Sequence, residues 1–170
     1  MPSVRDIRRR IRSVDNTAKV TNAMSLIAAS KMRRAQNSVL EGRPYSVKIQ
    51  SVIAHLAAQP MDDDAGSQPL LAVRTVGKST VLMISPDRGL CGGLHANLNR
   101  QVGNFILEQE VPVQAIAVGR KGRDFMARTN QDLKATFTDL GETPQLIDTN
   151  AIAHMIIESY SAGETDEVYL

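Results

Sequence analysis

The chain is short of several things that would narrow its function at once. It has one cysteine in 170 residues, so no intramolecular disulfide framework and no four-thiolate zinc site can form. It has no tryptophan and only 4% aromatic residues, too few for a nucleic-acid module built on stacked rings. It has no apolar run long enough to span a bilayer. The first 20 residues also lack the apolar block of a signal peptide, because Arg5, Arg8, Arg9, Arg10 and Arg12 interrupt it. Between Ser3 and Gln59 it has a single glycine and a single proline, Gly42 and Pro44. These gaps favour an intracellular protein of a reducing compartment, soluble or peripheral to a membrane.

What is present is a globular balance, 42% hydrophobic and 22% charged. The net charge of +2 conceals two unlike halves. Residues 1–59 hold 11 Lys/Arg against 3 Asp/Glu, a net of +8, and the rest hold 9 against 15, a net of −6. A basic arm is joined to an acidic body.

Three segments are expected: a coiled-coil helix over 1–59, a linker over 60–78 and an α/β domain over 79–170. Steps of three and four from Val4 land on Ile7, Ile11, Val14, Ala18, Thr21, Ser25, Ala28, Met32, Ala35 and Val39. That 3.5-residue ladder predicts a seam for a partner helix. Ser3 and Asp6 stand at capping-box spacing. In the middle of the ladder, Val20, Ala23, Met24, Leu26, Ile27 and Ala29 put apolar groups on the other faces, so the helix should also pass through an apolar collar supplied by other chains. Gly42 and Pro44 should kink or interrupt it, and a second amphipathic stretch carries Val47, Val52, Ile53 and Leu56. Pro60 to Pro69, with three aspartates and a glycine, has linker composition.

From Ser79 the rhythm becomes strand, helix, strand, helix, strand, helix, which predicts a parallel, three-layer α/β fold. The strands expected are Val81 to Ile84, Val113 to Val118, a weaker one around Ala135 to Phe137, and a start at Val168 to Leu170. The helices expected run through Leu94, Leu98, Val102, Ile106 and Leu107, over a short stretch after Gly119, and from about Thr149 to Ser159 with Ile152, Met155 and Ile156 inward. Both halves read as unfinished, a long helix without its partner and a sheet without its last strand.

The chemistry on offer is thin. GLCGGLH opens a helix after a strand, where a phosphate loop would sit, but it fits neither common phosphate-binding pattern, and the plainer reading is a tight turn. Cys91 and His95, four apart, would share a helix face as thiolate and base; an inert cysteine is the plainer reading. GRKGR, Gly119 to Arg123, puts three cations at another turn, where an exposed basic turn competes with a phosphate contact. His55 and His154 have no ligand-spaced companions, so no metal site is expected.

Three motifs, IRRRIRSVDNTAKVTNAMSLIAASKMRRAQ, DRGLCGGLHANLN and VGRKGRDF, resemble in order the gamma subunit family of F-type ATP synthases, from residue 3 to residue 170. The resemblance implies a non-catalytic central-stalk rotor subunit with no cofactor, coupling hydrogen-ion transport to ATP synthesis. Its implied partners are the alpha and beta subunits, the epsilon subunit and the c-ring, with no nucleic acid. Its implied place is peripheral, on the cytoplasmic face of a bacterial plasma membrane. Carried onto this sequence, the implied contact positions are Val20, Met24 and Ile27 in the collar, Lys31, Arg33 and Arg34 facing acidic lever loops, and Asp87, Leu90, Cys91 and Gly92 in the foot. Family members run on past the position of Leu170, so a fragment or an incomplete reading frame is expected. Two other classes stay open: a small phosphate- or nucleotide-binding α/β protein with a basic arm, and a nucleic-acid binder using residues 5–34.

Overall fold

The computed structural model describes residues 3–58, 69–71 and 74–170, which fall into two compact units, Met1–Pro60 and Met61–Leu170. Most of the expected 60–78 linker lies outside the described residues.

The first unit is one helix, α1 (Val4–Ala57), 54 residues long and therefore about 81 Å at 1.5 Å per residue. Its start is the capping box read from the sequence. The Ser3 hydroxyl accepts from the Asp6 amide at 3.3 Å and the Asp6 carboxylate accepts from the Ser3 amide at 3.1 Å. Inside the helix, Thr17 and Thr21 donate back to the carbonyls of Ser13 and Thr17, and Lys19 pairs with Asp15 one turn earlier.

The expected interruption at Gly42 and Pro44 does not occur: α1 runs through both. Proline removes one helix hydrogen bond, at a cost of about 3 kcal/mol, yet its ring already favours a helical φ. No residue of α1 is buried, so the Leu40 carbonyl that loses its partner lies in a fully exposed helix, where water replaces it.

The second unit is built on a four-stranded parallel sheet of order β3-β2-β1-β4. The strands are β1 (Ser79–Ile84), β2 (Val113–Val118), β3 (Asp132–Phe137) and β4 (Glu167–Tyr169), and the helices between them are α2 (Leu94–Glu108), α3 (Arg120–Arg128) and α4 (Leu146–Ser161). This is the parallel α/β class expected from the alternating rhythm. β1 and β2 align in full register from Ser79↔Val113 to Ile84↔Val118. Being central, they carry the buried residues, which is why both read as near-continuous apolar runs.

One face of the sheet packs Val81, Met83 and Ala115 against Met126, with Leu98, Val102 and Phe105 from α2 and Phe125 from α3. Of the α2 residues expected along its apolar stripe, Leu94 and Leu107 stay exposed and Phe105 takes part instead. On the other face, Lys134 from β3 reaches Ser159 on α4, which gives the three layers.

α4 begins three residues before the expected Thr149. Gln145 and Asp148 form its capping box, and Leu146 and Ile147 are exposed, so its first turn carries no inward period to read. β3 also starts earlier than expected, at Asp132. Its pairing slips between Leu133 and Ala135, which face consecutive β2 residues and leave Lys134 outside the ladder. β4 covers only Ser79 to Val81 of β1. At its end, Tyr169 meets Phe105 of α2 edge to face, with ring centroids 4.7 Å apart.

Candidate functional site

The expected contact residues fall into two sets, one in each unit. On α1 every expected position is solvent-exposed. A helix turns about 100° per residue, so Val20, Met24, Ile27, Lys31 and Arg34 share one face within about 40° of its centre line. The same turn carries Arg33 to the far side, away from that group. The ladder residues Ala18, Thr21, Ser25, Ala28 and Met32 lie on a second face, roughly 120° round the helix from the first. Val4, Ile7, Ile11, Val14, Met32 and Val39 along the ladder are 48–69% exposed, and Val20, Met24 and Ile27 are 47–59% exposed. One helix thus holds two separate apolar faces in water.

The four positions of the second unit lie together in the loop after β1. Leu90 at the tip is 93% exposed and holds φ +63, a left-handed conformation costing about 1–2 kcal/mol for a residue with a side chain. Gly92 takes φ +60, where glycine is at no disadvantage. Cys91 Sγ lies 3.5 Å from His95 Nδ1 and 3.8 Å from the Arg88 carbonyl, so the expected Cys91 and His95 pair does meet.

Asp87 roots this loop. One of its carboxylate oxygens accepts from the Arg120 amide at the start of α3, at 2.9 Å, and the other accepts from the Asp139 amide at 3.3 Å. The Arg120 guanidinium closes the figure on Asp139 at 2.6 Å and approaches Asp87 at 3.8 Å. Sequence reasoning missed this triangle. Arg120 was visible only as one cation of GRKGR, and nothing local marks Asp139 as its partner.

The turn into α3 is tight for a steric reason. The Ser85 hydroxyl donates to the Val118 carbonyl and accepts from the Gly122 amide at 2.7 Å. Gly119, at φ +92, and Gly122 pass directly over Ser85, where added Cβ atoms would collide. These glycines serve close packing, a role not expected of GRKGR from the sequence.

A cleft of about 390 Å³ opens between the loops after β1, β2 and β3. Asp87, Asp139 and Glu142 line it with Arg88 and Arg120. Three carboxylates and two guanidiniums, one of them already bound to two aspartates, do not make a phosphate cradle. Of the other GRKGR cations, Arg123 is bound to the neighbouring Asp124, whose carboxyl its hydrogen bond holds below the usual range. Among the described residues, no three His, Cys, Asp or Glu side chains converge as metal ligands, and no helix is long and apolar enough to cross a membrane.

Known proteins resemble this chain along its whole length. The model of a family described as ATP synthase matches residues 3–170. The ATP synthase gamma chain of Dehalococcoides mccartyi strain CBDB1 is 52% identical over 170 residues, all of this chain and 59% of that protein. The gamma chain of Roseiflexus castenholzii is 47% identical over 174 residues, with the same coverage. This chain thus spans about three fifths of the length of these curated relatives. Among solved structures, the central stalk and c-ring of the Tetrahymena thermophila mitochondrial ATP synthase matches 82% of the chain, with a TM-score of 0.64 at 22% identity. The Euglena gracilis mitochondrial ATP synthase matches 90%, with a TM-score of 0.54 at 16% identity. At those identities the likeness is one of fold.

Proposed function

The chain belongs to the gamma-chain family of ATP synthases, and from that premise we propose that it works as a rotor of the central stalk, carrying torque between the membrane c-ring and a ring of alpha and beta subunits. In this reading it holds no active site and no cofactor. ATP chemistry belongs to the subunits around it. The observation that carries the proposal is α1, an unbroken 54-residue helix with no buried residue and two apolar faces about a third of a turn apart. One face suits a paired helix, the other an enclosing collar.

The exposed cations Lys31 and Arg34 continue the collar face toward the C-terminal side of Val20, Met24 and Ile27. Charge attraction in water is weak and non-directional, about 0–1 kcal/mol per exposed pair. That suits a shaft that must slip past successive acidic partners without locking, and Arg33 serves the opposite side. The loop of Asp87, Leu90, Cys91 and Gly92 is the foot contact, with the epsilon subunit and c-ring as further partners. The assembly sits peripherally on the cytoplasmic face of the membrane. We propose the boundaries 1–59, 60–78 and 79–170 for shaft, linker and foot.

Purification of the native protein from its own cells, with an intact mass and the identities of whatever accompanies it, tests this. Alpha and beta subunits are expected in the same complex. Recovery without them, together with nucleotide binding by this chain alone, would overturn the proposal and restore the phosphate-binding reading, which the acidic lining of the cleft disfavours.

A further inference from the structure

The loop between Asp87 and Gly93 holds a conformation that its own bonds do not explain. Leu90 sits in the left-handed region and its side chain is almost fully in water. Within the loop, the sulfur contacts of Cys91 and the Leu94 amide to Cys91 carbonyl bond, 3.4 Å long, are weak. A strained backbone persists only where its surroundings over-determine it. At its far end the loop runs into α2, where the Gly93 carbonyl accepts from the Asn97 amide at 2.9 Å; on the side leading to Leu90 the surroundings act at the root, where Asp87 joins the ends of three strands.

We propose that Arg120 is a positioning residue, which with Asp87 and Asp139 forms an ionic clamp that holds the 87–93 loop in the conformation presenting Leu90. Asp87 uses both carboxylate oxygens, on the amides of Arg120 and Asp139. Arg120 neutralises both aspartates with one guanidinium, so the carboxylates stand together without repulsion. Loss of the guanidinium leaves two like charges on adjacent loops, with only the two backbone amides still holding Asp87, and the loop loosens about that weakened root. Arg88, Leu90 and Cys91 need no contact with Arg120 for this to act; they inherit their position from Asp87. The use of the loop as a partner contact rests on the rotor reading, but the clamp does not.

Cys91 is the sole cysteine of the chain, so a nitroxide attached to it reports the loop's mobility in the 170-residue chain. The label in Arg120→Ala is expected to tumble about two-fold faster or more on the nanosecond scale. Arg120→Lys is expected to restore part of the difference, since Lys keeps the charge and loses the fork. Raising the salt from about 0.05 to about 1 M, which shortens the screening length to about 3 Å, is expected to loosen the unsubstituted loop and leave Arg120→Ala unchanged. A folding defect would not respond to salt in that pattern. Circular dichroism checks that each variant keeps its helix and sheet. If Arg120→Ala fails to fold, Asp139→Asn removes one arm of the clamp and should give an intermediate mobility. A label as restrained in the folded variant as in the parent, or a parent loop indifferent to salt, overturns the clamp. Because no other subunit is present, that result stands apart from any failure of the rotor reading.

Discussion

Gly119 passes so close to Ser85 that a Cβ on it would lie 1.9 Å from the Ser85 carbonyl oxygen. Its φ of +92 is also closed to ordinary side chains. Because the obstacle is backbone, held just past β1 by the Ser85 amide on the Val118 carbonyl at 2.8 Å, nothing can move aside cheaply. Gly119→Ala is therefore expected to destabilise the second unit by about 3 kcal/mol or more. Urea unfolding followed through the sheet signal checks this, and a loss near zero would mean that the turn is not packed as described.

Gly92 makes the opposite case. Its φ is +60, but nothing lies within 4 Å of the Cβ an alanine would add. Gly92→Ala should cost only the left-handed strain, about 1 kcal/mol. The same unfolding measurement separates the two glycines. If the foot loop is a partner contact, the defect of Gly92→Ala appears in assembly or coupling more than in stability.

Met24 shares its helix face with Val20 and Ile27 and is 47% exposed. Met24→Lys in a full-length version would place an ammonium in the proposed collar, where an unpaired buried charge costs several kcal/mol and a new ion pair would bind the shaft too firmly. Either way, proton pumping per ATP hydrolysed by reconstituted vesicles should fall. Unchanged coupling would remove Met24 from the collar.

Acid should weaken the second unit through Glu164. A hydrogen bond from Lys134, then one from Ser159, then the Lys134 charge hold its carboxyl below its ordinary 4.5. A carboxyl lowered in the folded state stabilises fully above its unfolded value, and that contribution is lost as the pH falls through the lower folded value. Glu164→Gln should therefore be less stable than the parent near neutrality, and the gap should close below about pH 4. Urea midpoints across that range check the sign; a gap that widens in acid refutes it. The effect is small because Glu164 is largely in water.

Much of the architecture was legible because its causes are local. The 3.5-residue ladder of α1, the Ser3 and Asp6 capping box, and the apolar runs of β1 and β2 each depend on residues a few positions apart. The misreadings have physical reasons of the same scale. Pro44 does not break α1, because in a fully exposed helix the lost hydrogen bond passes to water. α4 starts ahead of its inward-facing period, because Gln145 is an uncommon cap and Leu146 and Ile147 are exposed. Of the expected contact residues, Val20, Met24 and Ile27 share a face by helix geometry alone, and the same geometry turns Arg33 away from Lys31 and Arg34.

The long helix, its two apolar faces, the parallel α/β class and the family all follow from neighbouring residues, where periodicity, caps and motifs are written. The folded chain adds that β4 lies beside β1, that Lys134 falls outside the ladder, that Gly119 must clear Ser85, and that Arg120 binds Asp87 and Asp139. Those facts join residues 18 to 88 positions apart, and they arise from strands settling side by side to satisfy backbone bonds and bury one apolar face, which local pattern does not record.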